Sequence, residues 1–365
     1  MKECISVLVI DDSSVVRQTF TELFNSIPDI ELADTASNPY IAASKLKKSV
    51  PDVIILDIEM PKMDGLTFLK KLMSQFPTPV VICSSLTEND NKLALEATRL
   101  GAIEVIHKPK VGVKEYLEES KILIGDAVRA AAQTKPGKRS QIKNGTTKKS
   151  ASERNVQPKL SADAVVSDKA SPPANITTTQ GIVVIGASTG GTQALENILE
   201  QLPAHTPGMV IVQHMPYGFT ATFAERLNAV SKIEVKEASH GDSVTTGRAL
   251  IAPGNKHIMV ERSGTRYHVS ITDGPLVSRH RPSVDVLFRS AAQCAGASCL
   301  GIILTGMGED GAQGLLEIKE ARGRTIVQDE NTSIVFGMPK AAIELNAAEN
   351  IIPLESVSGY ITRFK

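Results

Sequence analysis

The chain of 365 residues has no excess of either charge: Lys plus Arg and Asp plus Glu number 40 each. That balance excludes the one-signed field by which a protein draws nucleic acid towards itself from a distance. No apolar run approaches the roughly 20 residues needed to cross a bilayer. The N-terminus, Met1-Lys2-Glu3-Cys4, passes straight into a short strand pattern without the apolar core of a secretory leader. The expectation is a cytoplasmic protein with no membrane insertion and no nucleic-acid partner. No Cys-x-x-Cys pair occurs among Cys4, Cys83, Cys294 and Cys299; these mostly sit in apolar runs and read as reduced core thiols. Aromatic residues are missing altogether between Tyr116 and Tyr217.

Part of that aromatic-free stretch divides the chain. Lys, Ser, Thr, Pro and Ala dominate residues 129–180, and from Lys135 to Lys159 the only acid is Glu153. Such a segment buries too little apolar surface to offset its ordering entropy, and is expected to be a flexible linker. It leaves two domains, 1–128 and 181–365. Each has enough hydrophobic content for its own core.

In residues 1–128, strands and helices alternate. Continuous apolar runs at Val7–Ile10, Val53–Leu56, Val80–Cys83 and Ile103–Ile106, with a weaker one near Glu31–Asp34, read as parallel strands buried on both faces. Helical spacing fills Ser14–Ser26, Gly65–Gln75 and Glu88–Leu100, the last stopping at Gly101. The fold expected is α/β, an open doubly wound sheet of five strands, with its crevice at the strand C-terminal ends. Asp11 and Asp12, Asp57, Ser84 and Ser85, and Lys108 all sit at those ends. Converging carboxylates repel and raise one another's pKa unless a cation joins them, and an all-oxygen set suits Mg²⁺. A lysine and a hydroxyl beside them suit phosphoryl oxygens. The pattern describes a carboxylate that accepts a phosphoryl group.

Residues 181–365 alternate in the same way and predict a larger, mainly parallel α/β sheet. Its first strand, Ile182–Ile185, runs into Gly186-Ala187-Ser188-Thr189-Gly190-Gly191 and then a helix. A serine between glycines at a strand-to-helix turn is a place for a nucleophile. The helix N-terminus there offers N–H groups to a developing negative charge. His214 follows the strand Met209–Val212, and Asp310 follows Cys299–Leu304. Imidazole can accept a serine proton and a carboxylate can fix its tautomer. The backbone N–H groups of Thr189 and Met307 could form part of an oxyanion hole. Each residue also has a plainer reading: a structural histidine, a helix-capping aspartate, a turn rich in glycine. His240, His257 and His280 adjoin loops as well. The order Ser, His, Asp differs from that of α/β-hydrolases, and residues 186–191 do not fit the dinucleotide pattern G-x-G-x-x-G.

Two resemblances bear on these alternatives. Asp11-Asp12, Asp57 within Leu-Asp-Ile-Glu-Met-Pro, Asp64-Gly65, Ser84 and Lys108-Pro109 resemble a response-regulator receiver domain across the whole first segment. The resemblance implies Asp57 as phospho-acceptor. It places Asp11, Asp12, Asp57 and the Glu59 backbone carbonyl at a Mg²⁺, with Ser84 as switch hydroxyl and Lys108 as phosphate partner. Three residues before the lysine, where the family often has an aromatic, stands Val105. The motifs at 186–191, Gln-His-Met-Pro at 213–216, Ala-Pro-Gly at 252–254 and Thr-Gly-Met-Gly-Glu-Asp-Gly at 305–311 are similar to the chemotaxis protein-glutamate methylesterases, the CheB family. That implies a catalytic triad of Ser188, His214 and Asp310 with no cofactor for the ester chemistry. It implies methyl-accepting chemoreceptors as substrate, a chemotaxis histidine kinase as phosphodonor, and glutamine deamidation as a second activity. A non-enzymatic, receiver-controlled interaction protein is the alternative from another class.

Overall fold

The computed structural model describes residues 4–60, 63–85, 87–109, 114–134, 159–166 and 181–364. The N-terminal unit runs β1 (Ile5–Ile10), α1 (Ser14–Asn25), β2 (Ile30–Ala36), α2 (Pro39–Leu46), β3 (Val53–Asp57), α3 (Gly65–Gln75), β4 (Val80–Ser84), α4 (Glu88–Arg99), β5 (Glu104–His107) and α5 (Lys114–Gln133). Its five strands pair in parallel in the order β2-β1-β3-β4-β5. Every residue of β3 and of β4 is buried, as continuous Val and Ile runs require when helices cover both faces. Side-chain caps start four of the helices: Ser13, Asn38, Asp64 and Thr87 each accept a first-turn N–H.

The C-terminal unit opens with β6 (Ile182–Ala187), α6 (Gly191–Gln201), β7 (Gly208–Gln213), α7 (Phe219–Val230), β8 (Glu234–Glu237), β9 (Ser243–Val244) and β10 (Arg248–Ile251). The hairpin β11 (His257–Ser263) and β12 (Arg266–Thr272) follows. It closes with α8 (Val284–Ala295), β13 (Cys299–Ile303), α9 (Ala312–Glu320), β14 (Arg324–Gln328), α10 (Met338–Glu344), β15 (Asn350–Ile352) and α11 (Leu354–Arg363). Seven strands form a wholly parallel sheet, β15-β14-β13-β6-β7-β10-β8; β11, β12 and β9 form a small antiparallel one. From β6 the chain steps to β7 on one side and later crosses to β13 on the other. That reversal opens a crevice beyond the C-terminal ends of the three central strands.

The alternation of elements agrees with the expected α/β class for both units. Two parts of the stretch expected to be linker carry structure. Helix α5 continues to Gln133, past residue 128. Residues 159–166 lie on the C-terminal unit: Leu160 bridges Val277, Asp163 pairs with Arg289, Lys159 with Glu309, and Ala162 and Val166 pack with Val277 and Val286. Residues 135–158 and 167–180 lie outside the described residues.

Packing at the crevice is tight. A Cβ on Gly186, in the middle of the sheet, would come 2.2 Å from Val284 Cγ1 at the start of α8. Gly186→Ala is expected to destabilise the C-terminal unit by about 1–3 kcal/mol, the usual cost of overpacking. The companion change Val284→Ala should recover part of that loss, a coupling read by urea unfolding of the two single variants and the double variant.

Candidate active site and phospho-acceptor site

Three neighbouring parallel strands deliver the three candidate residues. Ser188 follows β6, His214 follows β7 on one side, and Asp310 lies beyond β13 on the other. The backbone knits the strand ends together. Ser188 N–H donates to Thr305 O (3.1 Å), His214 N–H to Ala187 O (3.0 Å), and Gln213 Nε2 to Ser188 O (2.9 Å). Gly190 takes φ 80° and Gly311 φ 91°, so each strand-to-helix turn can reverse tightly where an L side chain would be strained. Gly191 is needed for another reason: a Cβ there would meet Gln213 Oε1 at 2.1 Å.

His214 Nε2 lies 2.8 Å from Asp310 Oδ2. Asp310 is buried and also accepts from Ser283 Oγ (2.7 Å), Val284 N–H (2.7 Å) and Asp285 N–H (3.1 Å), the exposed donors at the start of α8. Burial works against its charge, but His214 and these donors hold its pKa at about 2. The reading of Asp310 as a helix cap and its reading as a partner of histidine are therefore both realised; the helix it caps is α8, not its own α9. An ionised carboxylate only accepts, so the proton of this pair sits on Nε2. His214 Nδ1, buried and without a hydrogen bond, keeps the free lone pair. Among the described contacts, no side-chain hydrogen bond joins Ser188 to His214.

Two residues that sequence reasoning did not single out complete the site. The His280 ring stacks on that of His214, centroids 3.7 Å apart and planes 10° apart. Burial, with His214 beside it, pushes His280 down to about 3 and keeps it neutral. Asp285 accepts from Gly314 N–H (2.8 Å) and Ser278 Oγ (3.1 Å). No sequence signal marks His280 above the other loop histidines, and Asp285 reads as an ordinary first-turn acid.

At the C-terminal ends of β1, β3, β4 and β5, carboxylate oxygens of Asp11, Asp12 and Asp57 lie within 4.8 Å of one another. Lys108 Nζ stands 2.8 Å from Asp57 Oδ2 and 3.3 Å from Asp11 Oδ2. Burial and the neighbouring Asp11 lift Asp57 to about 6 against the pull of Lys108, and burial raises Asp11 too. Burial also opposes the charge of Lys108, but Asp57 and Asp11 outweigh it and hold its pKa above the ordinary value. Ser84 is buried at the end of β4, and Glu59 N–H donates to Asp57 Oδ1 at 3.3 Å. An all-oxygen set of clustered acids, with the ionisation of Asp11 and Asp57 suppressed, fits a hard divalent cation.

The two sites face a shared boundary. Asn91 Nδ2 donates to Gly218 O (2.9 Å), Gln193 Nε2 to Thr98 O (2.6 Å) and Arg226 Nη1 to Leu95 O (3.1 Å). His107 Nε2 lies 3.0 Å from Tyr217 O, and its ring lies 5.2 Å from that of Phe219, which packs into the core of the N-terminal unit. Thr189 Oγ1 donates to Glu104 Oε2 at 2.6 Å. Thus α4 and β5 lie across α6, α7 and the turn bearing Ser188.

The buried acid next to Asp310 has a stability consequence. Burial first, and then the Asp310 charge, push Asp285 up to about 8 from an ordinary 3.8. Between these values the folded state holds the extra proton, so stability falls as pH rises through about 8. Asp285→Asn should flatten that decline, read as the midpoint of thermal unfolding at mildly acidic and mildly alkaline pH.

Known proteins share both halves of this arrangement. Residues 183–361 match the CheB methylesterase family, and residues 7–117 match the response regulator receiver domain. The chain is 54% identical to a "protein-glutamate methylesterase/protein-glutamine glutaminase 3" of Geobacter metallireducens, over 98% of each chain. It is 55% identical to a "protein-glutamate methylesterase/protein-glutamine glutaminase 2" of Rhodospirillum rubrum, over 100% of this chain and 99% of the relative. The crystal structure of the Thermotoga maritima CheB methylesterase catalytic domain superposes with a TM-score of 0.50 at 37% identity, covering 51% of this chain and 100% of that one. With relatives this similar over nearly its whole length, the chain belongs to the CheB methylesterase family, with a receiver domain at its N-terminal side.

Proposed function

We propose that this chain is a phosphorylation-activated serine hydrolase that demethylates glutamate methyl esters on the cytoplasmic part of chemoreceptors and deamidates glutamines there. The observation that carries the reading is the His214–Asp310 pair at the ends of β7 and β13, flanking Ser188 at the end of β6 between them. His214 Nδ1 takes the Ser188 proton as Oγ attacks the side-chain carbonyl. Asp310 holds the ring through Nε2 and stabilises the imidazolium. The N–H groups of Thr189 and Met307 receive the oxyanion. The proton passes to the leaving oxygen, methanol departs, and water hydrolyses the acyl-enzyme by the same route in reverse. Glutamine follows the same steps with ammonia as leaving group.

The receiver supplies the control. Asp57 accepts a phosphoryl group from a chemotaxis histidine kinase. Asp11, Asp12, Asp57 and the Glu59 carbonyl would hold Mg²⁺, which when bound neutralises charge on the phosphoryl group. Lys108 pairs with the phosphoryl oxygens and Ser84 donates to one of them. The resulting movement of the β4–β5 side loosens α4 and β5 from the catalytic crevice. A cytoplasmic location follows from the partners.

The test is methanol release from methylated receptor membranes, with and without a small phosphodonor and Mg²⁺. Ser188→Ala is expected to lose activity by at least ~1,000-fold, the scale of removing a triad nucleophile. Retention of full activity would refute the triad. Asp57→Ala should keep the unstimulated rate and lose the response to phosphodonor. An undiminished response would show that another residue takes the phosphoryl group.

A further inference from the structure

Glu104 brings a glutamate side chain to the residue that follows the nucleophile. Its Oε2 accepts from Thr189 Oγ1 at 2.6 Å. Among the described residues it is the only carboxyl of the receiver hydrogen-bonded to the β6–α6 turn. The other hydrogen bonds across the boundary near this turn end on backbone carbonyls, at Thr98, Leu95, Tyr217 and Gly218, and one ion pair, Arg99 Nε to Glu196 Oε1 at 4.0 Å, joins α4 to α6. Burial between the two units pushes Glu104 up to about 7, with Thr189 and the Val105 N–H pulling the other way.

The turn itself has little else to offer. Ser188 N–H is spent on Thr305 O, and Ser188 O is taken by Gly191 N–H and Gln213 Nε2. Thr189 O accepts from Thr305 Oγ1. The Thr189 hydroxyl is what faces the receiver. The product of the proposed reaction is a glutamate side chain leaving this same place.

We infer that Glu104 is a built-in stand-in for the product glutamate, and that Thr189 Oγ1 is the hydroxyl that holds the substrate's side-chain carbonyl group. This rests on the esterase reading above and adds to it a substrate contact and the group that competes for it. A resting receiver then denies the crevice by filling its glutamyl subsite, and release of Glu104 exposes Thr189 to the receptor. The hydroxyl suits both ligands because its O–H can donate to an ester carbonyl oxygen or to a carboxylate oxygen.

The experiment uses the full chain and methylated receptor membranes, at rest and after activation with beryllofluoride and Mg²⁺, with demethylated receptor as the product probe. In the activated chain, Thr189→Ala should raise KM for methylated receptor at least fivefold and weaken inhibition by demethylated receptor at least fivefold. The effect on kcat should be smaller, and Thr189→Ser should restore both constants. Smaller changes in a variant shown to be folded by its thermal midpoint would overturn the assignment of Thr189. At rest, Glu104→Ala should raise the rate at least threefold while the activated rate stays at that of wild type. Glu104→Gln, which keeps an acceptor for Thr189, should stay near the wild-type resting rate. A Glu104→Ala chain no faster at rest, in a protein that beryllofluoride still activates, would overturn the stand-in. Failure of beryllofluoride to activate wild type would instead remove the gating part of the proposed function, and the Thr189 constants, then read in the unactivated chain, would still decide the substrate contact.

Discussion

A carboxylate buried without a cation must find its solvation in hydrogen bonds, and Asp310 finds it at the start of a helix. The first-turn donors of α8 and the hydroxyl of Ser283 take three of its bonds, and His214 takes the fourth. That requirement fixes much around it. Helix α8 must begin beside the end of β13, so Val284 lies against β6, and Gly186 has to be a residue without a side chain. The carboxylate is thereby ionised and immobile before any substrate arrives. This is what a residue must be if it is to hold a neighbouring imidazole in one tautomer.

The strand ends were legible in the sequence because parallel strands buried on both faces are written as unbroken apolar runs. Val53–Leu56, Ile182–Ile185 and Cys299–Leu304 stand out for that reason, and the polar residue close behind each, Asp57, Ser188 and Thr305, is conspicuous. The convergence of Ser188, His214 and Asp310 follows once those strands share a sheet; their adjacency as β13-β6-β7 does not, since sequence order leaves open which strand crosses over. Short or amphipathic elements escaped. The edge strand β15 has three residues, β9 has two, and α5 runs on from the domain into a stretch whose composition reads as linker. His280 escaped because stacking depends on a three-dimensional approach that no spacing encodes. Glu104 escaped because the strand at its position predicts only its own sheet, not the second unit lying against it.

The boundary between the two units is built from contacts of moderate strength. Side-chain amides, an imidazole and a guanidinium meet backbone carbonyls, and Phe219 fills a place in the receiver core. Exchanging such bonds for bonds to water changes the free energy by a net of about 0.5–1.5 kcal/mol for each neutral one and about 1.5–3 kcal/mol for the guanidinium. The boundary's charged groups include Glu104, Arg226 and the Arg99–Glu196 pair, and Asp57 lies at the end of β3, in the same sheet as the strand that carries Glu104.

The anchoring of residues 159–166 on the C-terminal unit sets how many residues separate the two halves. With α5 ending at Gln133 on one side and Lys159 tied to Glu309 on the other, only residues 135–158 join them. At no more than ~3.6 Å per residue, those 24 residues span about 90 Å at most. The two halves therefore meet within one molecule, at an effective concentration that a covalent connection of that length sets. Dilution of the protein leaves it unchanged, and a detached receiver in solution would have to reach that same local concentration before it could substitute for the attached one.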